Sequence, residues 1–353
     1  MPSELYPPAD GPFLDACAGR PTRLTPVWLM RQAGRILPAY RQLREAHASV
    51  ADLFNTPELA ARITLMPVAE LGVDAAILFT DLVTPLQALG CPFEYAPGPV
   101  FVRPVRCGQD VNALRPLQPE EDLSFVLEAV RLARQGLPPQ VPLIGYCGAP
   151  FTLAAWLVEG RGSRDWAEVR RLLHADAGLA GELLDRLTDA AIGFLCAQIG
   201  AGAQAVQLFD TSVGLLSGAQ FARFVLPGLE RICAALAPSG VPRIYFPLDG
   251  AHLLPQLGAL DLDVLSVDWR VDLADVYAWG RPGRVAQGNL DPCALFAPGA
   301  ELVRQVTAVL DAANGRPHVF NLGHGVLPET PLDKVRLLVD TVHEVSARRL
   351  SGG

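Results

Sequence analysis

The sequence predicts an α/β protein built as a single (β/α)8 barrel, or TIM barrel, with elaborated βα loops. Three observations favour this fold: a length of 353 residues with 50% hydrophobic content, eight short apolar runs, and helical spacing between most of those runs. Strands that alternate with helices indicate parallel pairing and right-handed crossovers. Eight repeats over this length favour a barrel, whose active site gathers at the carboxyl ends of the strands.

The eight apolar runs are the predicted strands, and each ends in polar or glycine-rich residues. They begin at Val27, Ala75, Pro142, Ala205, Arg243, Val264, Arg284 and His318. Residues 123–137 and 177–203 have helical spacing, and the second stretch ends in glycines, as helices commonly do. Residues 90–115 look irregular or hairpin-like, and we interpret them as an elaboration of the barrel.

The predicted domain organisation is one barrel over residues 21–347, with an N-terminal extension over residues 1–20 and a tail over residues 348–353. A doubly wound sheet is the alternative fold. No G-x-G-x-x-G follows a predicted strand and no G-x-x-x-x-G-K-[ST] occurs. The sequence therefore disfavours a doubly wound sheet of the nucleotide-binding kind.

Charge and composition limit the functional classes. The net charge of −8 disfavours nonspecific nucleic-acid binding, and an acidic ligand would need positive charge concentrated in one cleft. Seven cysteines without a C-x-x-C pair predict reduced, mostly buried thiols. No signal peptide is apparent and no apolar run reaches the length of a membrane span, which predicts a cytoplasmic protein without membrane contact.

Several catalytic chemistries lack their residues. Lys334 is the only lysine and lies in helical sequence near the C-terminus, which disfavours Schiff-base and pyridoxal-phosphate mechanisms. No H-E-x-x-H, no H-x-C with a distant cysteine and no G-x-S-x-G occurs, so neither a metal site nor a serine nucleophile elbow is predicted.

Arginines follow the first predicted strand in MRQAGRILPAYRQLR. Arg31 and Arg35 fall at the strand end, where guanidinium groups can bind carboxylates bidentately. Arg41 and Arg44 fit a solvated helix face better. The sequence therefore predicts a site for a ligand with several carboxylates.

An aspartate and a histidine follow two other strands. Asp81 could accept hydrogen bonds from ligand N–H groups or stabilise a cation, or it could simply cap the next helix. His324 lies between two glycines that let backbone approach a ligand, although a polar loop histidine is the alternative.

These motifs resemble the uroporphyrinogen decarboxylase family. PVWLMRQAGRILPAYR (residues 26–41) is similar to its N-terminal signature and GAPFTLAAWLVEG (residues 148–160) to its second signature. TDLVTPLQALG, QLFDTSVGLLS, LSVDWRVDLADV, QGNLDP and FNLGHGVLPETP match further family segments in family order. The resemblance spans residues 21–345, nearly the whole chain.

The resemblance implies a homodimeric barrel that needs no metal or organic cofactor. It implies that the four acetates of uroporphyrinogen III become methyl groups, giving coproporphyrinogen III in haem-type biosynthesis. The family's signature arginines correspond to Arg31 and Arg35, its essential aspartate to Asp81 and its C-terminal histidine to His324. Protonation of a pyrrole α-carbon would supply the electron sink for loss of carbon dioxide.

This chain departs from the family pattern at three positions. Trp156 replaces the usual tyrosine of the second signature and so lacks its phenol, while Thr211 replaces a serine and keeps the hydroxyl. Both are expected to line the substrate cleft, and Ile36, in place of a common tyrosine, is expected to serve packing. A related methyltransferase barrel and a non-catalytic tetrapyrrole-binding protein are the alternatives.

Overall fold

The computed structural model describes residues 11–351, with side chains through residue 349. The N-terminal ten residues, on which the prediction of no signal peptide partly rests, lie outside this range. So do the last two residues of the predicted tail. In the described part, no helix has the length and apolarity needed to cross a membrane.

The core of the fold is a seven-stranded parallel sheet. The strands, numbered in chain order with a separate hairpin of β2 and β3, are β1 (Ala76–Ile77), β2 (Phe93–Tyr95), β3 (Pro99–Phe101), β4 (Leu143–Gly148), β5 (Ala205–Asp210), β6 (Arg243–Pro247), β7 (Val264–Ser266), β8 (Val285–Leu290) and β9 (His318–Leu322). The sheet order is β1-β4-β5-β6-β7-β8-β9, with every pair parallel. The register aligns the carboxyl ends, for example Asp210 with Pro247.

Helices connect and cover these strands. They are α1 (Pro12–Cys17), α2 (Pro38–Glu45), α3 (Val50–Asn55), α4 (Pro57–Leu71), α5 (Thr84–Ala88), α6 (Gly108–Asn112), α7 (Pro119–Asp122), α8 (Ser124–Gly136), α9 (Pro150–Glu159), α10 (Ala167–Ala175), α11 (Ala177–Ala201), α12 (Gly218–Gln220), α13 (Leu226–Leu236), α14 (Leu254–Leu257), α15 (Leu273–Trp279), α16 (Gly299–Ala313) and α17 (Leu332–Ser351). The strands of the sheet are almost entirely buried, because helices cover one face and side chains fill the other.

Seven of the eight predicted strands are confirmed, and so are the hairpin and both predicted helices. The helix predicted over residues 123–137 is α8, and the one predicted over residues 177–203 is α11. The latter begins where the Asp176 side chain accepts a hydrogen bond from the Leu179 N–H at 2.9 Å, and it ends at Gly202, with φ of 121°. The strands had been predicted from short apolar runs and the helices from helical spacing.

The first predicted strand, at Val27, is wrong as a regular strand. Val27 forms one isolated parallel bridge to Phe320, and its carbonyl accepts a hydrogen bond from the Asp74 N–H at 2.8 Å. Side-chain oxygens take the N–H groups that a ladder would use: Asp74 Oδ2 bonds the Val27 N–H at 2.7 Å and Asn321 Oδ1 bonds the Met30 N–H at 3.0 Å. The hydrogen-bond pattern therefore defines a seven-stranded parallel sheet and does not confirm a full (β/α)8 barrel.

The amino end of the sheet is closed by α1. Phe13, Ala16 and Cys17 are buried in one cluster with Val264 and Val285 and with other inward residues of the strands. The predicted domain boundary at residue 21 stays a prediction. Helix α1, which lies within the N-terminal extension predicted over residues 1–20, nevertheless packs into the core.

Above this apolar floor lies a buried polar layer. Trp28 Nε1 donates to Gln287 Oε1 at 3.0 Å, and Gln287 Nε2 donates to Gln207 Oε1 at 3.1 Å and to Ser266 Oγ at 2.9 Å. Alternation along each strand then places the next inward residues, such as Asp268, at the carboxyl end. That end holds the polar residues singled out from the sequence.

Candidate active site

The loop that carries the arginines is held by a buried glutamine. Gln32 is fully buried; its Oε1 accepts from the Leu29 N–H and its Nε2 donates to the Ala75 carbonyl, both at 2.9 Å. Arg31, just before it, has φ of 62°, a left-handed conformation that costs a non-glycine residue roughly 1–2 kcal/mol. These hydrogen bonds stabilise that conformation and turn the Arg31 side chain out of the core.

Arg31 and Arg35 have no carboxylate within 4.0 Å among residues 11–349, whereas Arg270, on a neighbouring loop, is paired with two. Both side chains reach solvent. Surrounding protein nevertheless lowers the pKa of Arg31, first by desolvation and then by the charge of Arg35, while Tyr146 and Asp81 act in the opposite direction. Two unpaired guanidinium groups side by side form a site for anions.

The His324 loop and Arg31 fit together through glycine. A Cβ at position 325 would collide with Cγ and Cδ of Arg31, so Gly325 gives that side chain its place. A Cβ at Gly323 would collide with the backbone N of Trp269. Glycines on both sides of His324 therefore allow close packing against Arg31 and Trp269, and the predicted approach to a ligand stays a prediction.

Asp81 lies just before α5 and bonds the backbone there, while its predicted role toward a ligand stays a prediction. Its Oδ1 accepts a hydrogen bond from the N–H of Val83, the N-cap residue, at 3.0 Å. Desolvation raises the pKa of Asp81, and the Val83 N–H, the Tyr95 phenol and Arg31 oppose this by favouring the anion. The Asp81 carboxylate is therefore held by the Val83 N–H and lies close enough to Arg31 to feel its charge.

Two tyrosines beside Asp81 were missed in the sequence. Tyr146 of β4 donates to the Thr80 carbonyl, and Tyr95 of the hairpin lies close enough to Asp81 for the two groups to influence each other's ionisation. Burial, and then the charge of Asp81, raises the pKa of both phenols, so each keeps its proton at neutral pH. Tyr146 lies inside a predicted strand at an inward position, which was the available signal; Tyr95 had none, because its approach depends on how the hairpin folds back.

His324 is partly buried and lies over the ring of Phe246, with centroids 6.2 Å apart and planes 25° apart. Desolvation, followed by the charge of Arg31, lowers its pKa to about 4, with Asp268 opposing and Arg270 adding to the shift. The imidazole is consequently neutral at pH 7 and can donate one hydrogen bond and accept another.

A second group of charged residues, Asp249, Asp268 and Arg270, forms ion pairs among its own members. Asp268 is fully buried and accepts hydrogen bonds from the N–H groups of Asp249 (2.7 Å) and Arg270 (2.9 Å). The Arg270 guanidinium forms ion pairs with the carboxylates of Asp249 and Asp268. Its Cζ also lies over the Trp269 ring, 4.1 Å from the ring centroid. These charges hold the β6 and β7 loops together.

Trp156 and Thr211, the other predicted cleft residues, have different neighbours. Trp156 is partly buried and packs edge-on against Trp166, with centroids 5.3 Å apart. Thr211 follows Asp210, whose carboxylate accepts from Thr152 Oγ1 at 2.6 Å and from the Tyr245 hydroxyl at 2.8 Å. Burial raises the pKa of Asp210 to about 6.

Of the residues predicted from the sequence, the structure brings Arg31, Arg35, Asp81 and His324 close to one another.

The remaining sequence interpretations concern surface, packing and metals. Arg41 is exposed, Arg44 donates to the His47 carbonyl, and Ile36 is buried. Four cysteines are buried and three are exposed, all of them free thiols. Within the described range, no three His, Cys, Asp or Glu side chains are grouped as a metal site requires.

Comparisons with known proteins agree on one family. The family model "Uroporphyrinogen decarboxylase (URO-D)" matches residues 9–345. The chain is 46% identical over 337 residues to a uroporphyrinogen decarboxylase of Trichlorobacter lovleyi, covering 95% of this chain and 99% of that protein. It is 47% identical over 340 residues to one of Syntrophotalea carbinolica, covering 96% and 99%.

Solved structures share the fold at much lower identity. A methyltransferase from Methanosarcina mazei superposes with a TM-score of 0.76 at 21% identity, covering 94% of this chain and 97% of that one. A B12-independent methionine synthase from Shewanella superposes with a TM-score of 0.60 at 11% identity, covering 84% and 89%. At these identities the likeness concerns the fold alone. By the family match and by its relatives over nearly their whole length, this chain belongs to the uroporphyrinogen decarboxylase family.

Proposed function

We propose that this protein is a carboxy-lyase of tetrapyrrole (haem) biosynthesis that decarboxylates uroporphyrinogen. Its substrate is uroporphyrinogen III, and loss of four acetate carboxylates gives coproporphyrinogen III. The observation that carries the proposal is the pair of unpaired arginines beside Asp81 and His324 at the carboxyl end of the sheet. The names of relatives at 46% and 47% identity support the same reaction.

The chemistry requires an electron sink, and the substrate supplies it. Protonation of a pyrrole α-carbon makes the ring cationic, so that the electrons of the breaking C–C bond flow into the ring as carbon dioxide leaves. A second proton then adds to the exocyclic carbon and the α-carbon loses the first. In sum, each acetate takes up one proton and becomes a methyl group plus carbon dioxide. The proposed route uses no metal and no organic cofactor.

Each residue of the group has a separate task. Asp81 accepts the pyrrole N–H groups and stabilises the positive ring, which favours the charged transition state over the neutral ground state. Arg31 and Arg35 hold substrate carboxylates, and their positive charge offsets the negative charge that a polyacid brings into the cleft. Neutral His324 hydrogen-bonds a carboxylate or assists protonation, while Trp156 and Thr211 line the cleft.

Architecture and assembly are part of the proposal. The segment around Val27 acts as the eighth strand and closes the sheet into a (β/α)8 barrel, because it bonds to Phe320 of β9 and to Asp74 next to β1. The protein works as a homodimer, as the family resemblance implies, and it is cytoplasmic, as predicted from the sequence. Residues 21–347 form the barrel domain.

The test is an anaerobic reaction of pure, chelator-treated protein with chemically reduced uroporphyrin III. The products are reoxidised and separated by carboxylate number. Stepwise loss from eight carboxylates to four is expected. Arg35→Ala should reduce kcat/KM about 10- to 100-fold, whereas Arg41→Ala, which removes an exposed arginine of the same segment, should leave it unchanged. Folded protein that binds the substrate without releasing carbon dioxide would leave the non-catalytic binding role instead.

A further inference from the structure

The segment that leads into the arginines pairs with β9 as a very short parallel ladder. The Phe320 N–H donates to the Pro26 carbonyl at 2.8 Å, and the Trp28 N–H donates to the Phe320 carbonyl at 3.3 Å. A regular parallel ladder would continue with the N–H groups of Leu322 and Met30, each bonded to a backbone carbonyl of the other segment. The ladder stops before this next step.

The side chain of Asn321 accounts for the stop. Its Oδ1 accepts hydrogen bonds from the Met30 N–H at 3.0 Å and from the Leu322 N–H at 2.8 Å, the two donors of the missing step. Asn321 is fully buried, and its Nδ2 has no acceptor among residues 11–349. A buried donor without an acceptor costs folding free energy, so the contribution of this side chain lies in its oxygen. Asn321 thus separates the two segments where they would otherwise continue to pair.

Beyond this point the two segments diverge and form the candidate site. Arg31 turns into the left-handed region, with φ of 62°, directly after Met30. The Val326 N–H donates to the Met30 carbonyl at 2.9 Å, so residues 321 and 326 hold Met30 on both of its backbone groups. His324 lies between these two anchors in the chain, and its neighbour Gly325 packs against the Arg31 side chain. The spacing of the arginine from the His324 loop therefore depends on how Met30 is held.

We propose that Asn321 is a positioning residue of the decarboxylase, whose side-chain oxygen ends the ladder and thereby fixes the place of the Arg31 guanidinium relative to the His324 loop. This inference rests on the proposed function. Asn321 acts through Arg31 and needs no contact with the substrate. Without the acceptor, the N–H groups of Met30 and Leu322 would bond backbone carbonyls of the opposite segment, and the turn at Arg31 would shift.

The test is a double-mutant cycle on kcat/KM with reduced uroporphyrin III under anaerobic conditions. Asn321→Leu keeps the approximate size of the side chain but removes its acceptor, so kcat/KM should fall about 10- to 100-fold because the guanidinium is misplaced. In an Arg31→Met background, the same substitution should cost less than about threefold, since the group through which Asn321 acts is already gone. Equal fold-losses in the two backgrounds would overturn the proposal.

Ser346→Ala is the matched control. Ser346 is buried, and its Oγ accepts a hydrogen bond from the Thr25 N–H at 2.9 Å. It therefore also joins the C-terminal part of the chain to the segment before the arginines, but on the other side of the short ladder. Ser346→Ala should lower the denaturation midpoint and leave kcat/KM within about twofold of the wild type. An activity loss as large as that of Asn321→Leu would contradict a specific role of Asn321.

The outcomes separate this inference from the proposed function. An inactive but folded wild-type protein overturns the proposed function, and the cycle is then followed through the pKa of His324 by NMR, which the charge of Arg31 lowers. Asn321→Leu should raise that pKa when Arg31 is present and change it less in Arg31→Met, whereas equal changes overturn the role of Asn321. If Asn321→Leu fails to fold, Asn321→Ala replaces it in both cycles, with the same expected results.

Discussion

The two sides of the candidate site treat charge in opposite ways. On one side, Arg31 and Arg35 have no carboxylate partner within the described residues, and Asp81 accepts a hydrogen bond from the backbone N–H of Val83. On the other side, Arg270 is paired with both Asp249 and Asp268. An unpaired charge can bind substrate, whereas a paired one stabilises loops. Arginines of the same chemical type therefore serve different purposes: Arg31 and Arg35 are available to a ligand, whereas Arg270 holds loops together.

The largest effect should come from Asp81→Asn. The substitution removes the negative charge that stabilises a cationic ring, so kcat/KM should fall by about 10²- to 10³-fold. The measurement is the anaerobic decarboxylation assay at pH 7. Asp249→Asn, on the paired side, is the control and should keep activity near that of the wild type, because asparagine accepts the left-handed φ of 56° there. Equal losses in both variants would erase the contrast between the two sides.

A smaller effect is expected from Gly325→Ala. The added Cβ would occupy the place of the Arg31 side chain, which would move by about an ångström and lower kcat/KM about 10- to 100-fold. Gly181→Ala is the matched control, since a Cβ at that position of α11 meets no atom within 4 Å. Normal activity of Gly325→Ala would mean that the position of Arg31 is unimportant.

Arg31 and Asp268, one from each side, should pull the titration of His324 in opposite directions. NMR should find its pKa near 4, and Arg31→Met should raise the pKa whereas Asp268→Asn should lower it. Because the folded pKa lies below the ordinary 6.5, the unfolded chain takes up the proton first as pH falls. The unfolding free energy should therefore decrease between pH 6.5 and 4 and be independent of this group above 6.5. A pKa near 6.5 in the folded protein would contradict the burial described here.

The smallest effect concerns the stability of the paired side. Asp249 and Arg270 are about half exposed, so solvent screens their ion pair. Asp249→Asn should change the unfolding free energy by less than about 1 kcal/mol in chemical denaturation. A larger loss would mean that the pair holds the β6 loop in place, and the control for the Asp81 variant would then need a different residue.

Periodicity and motif position predicted most of the fold and the centre of the site. Short apolar runs located seven strands, and the positions just after those runs predicted that Asp81 and His324 lie at one end of the sheet. The first strand failed because side chains of Asp74 and Asn321 replace its ladder hydrogen bonds, which no period reveals. Tyr95 was missed because its approach to Asp81 depends on hairpin pairing and packing against Phe54.

Asn321 has a consequence for when catalysis can begin. Its Oδ1 accepts hydrogen bonds from the N–H of Met30, 291 positions earlier, and from that of Leu322, next to the His324 loop. The arginine loop and the histidine loop are thus joined by residues from opposite ends of the chain. During synthesis, a ribosome must release the chain through His324 before the arginine loop and the histidine loop can meet. A chain that stops before residue 321 would lack this connection between the two loops.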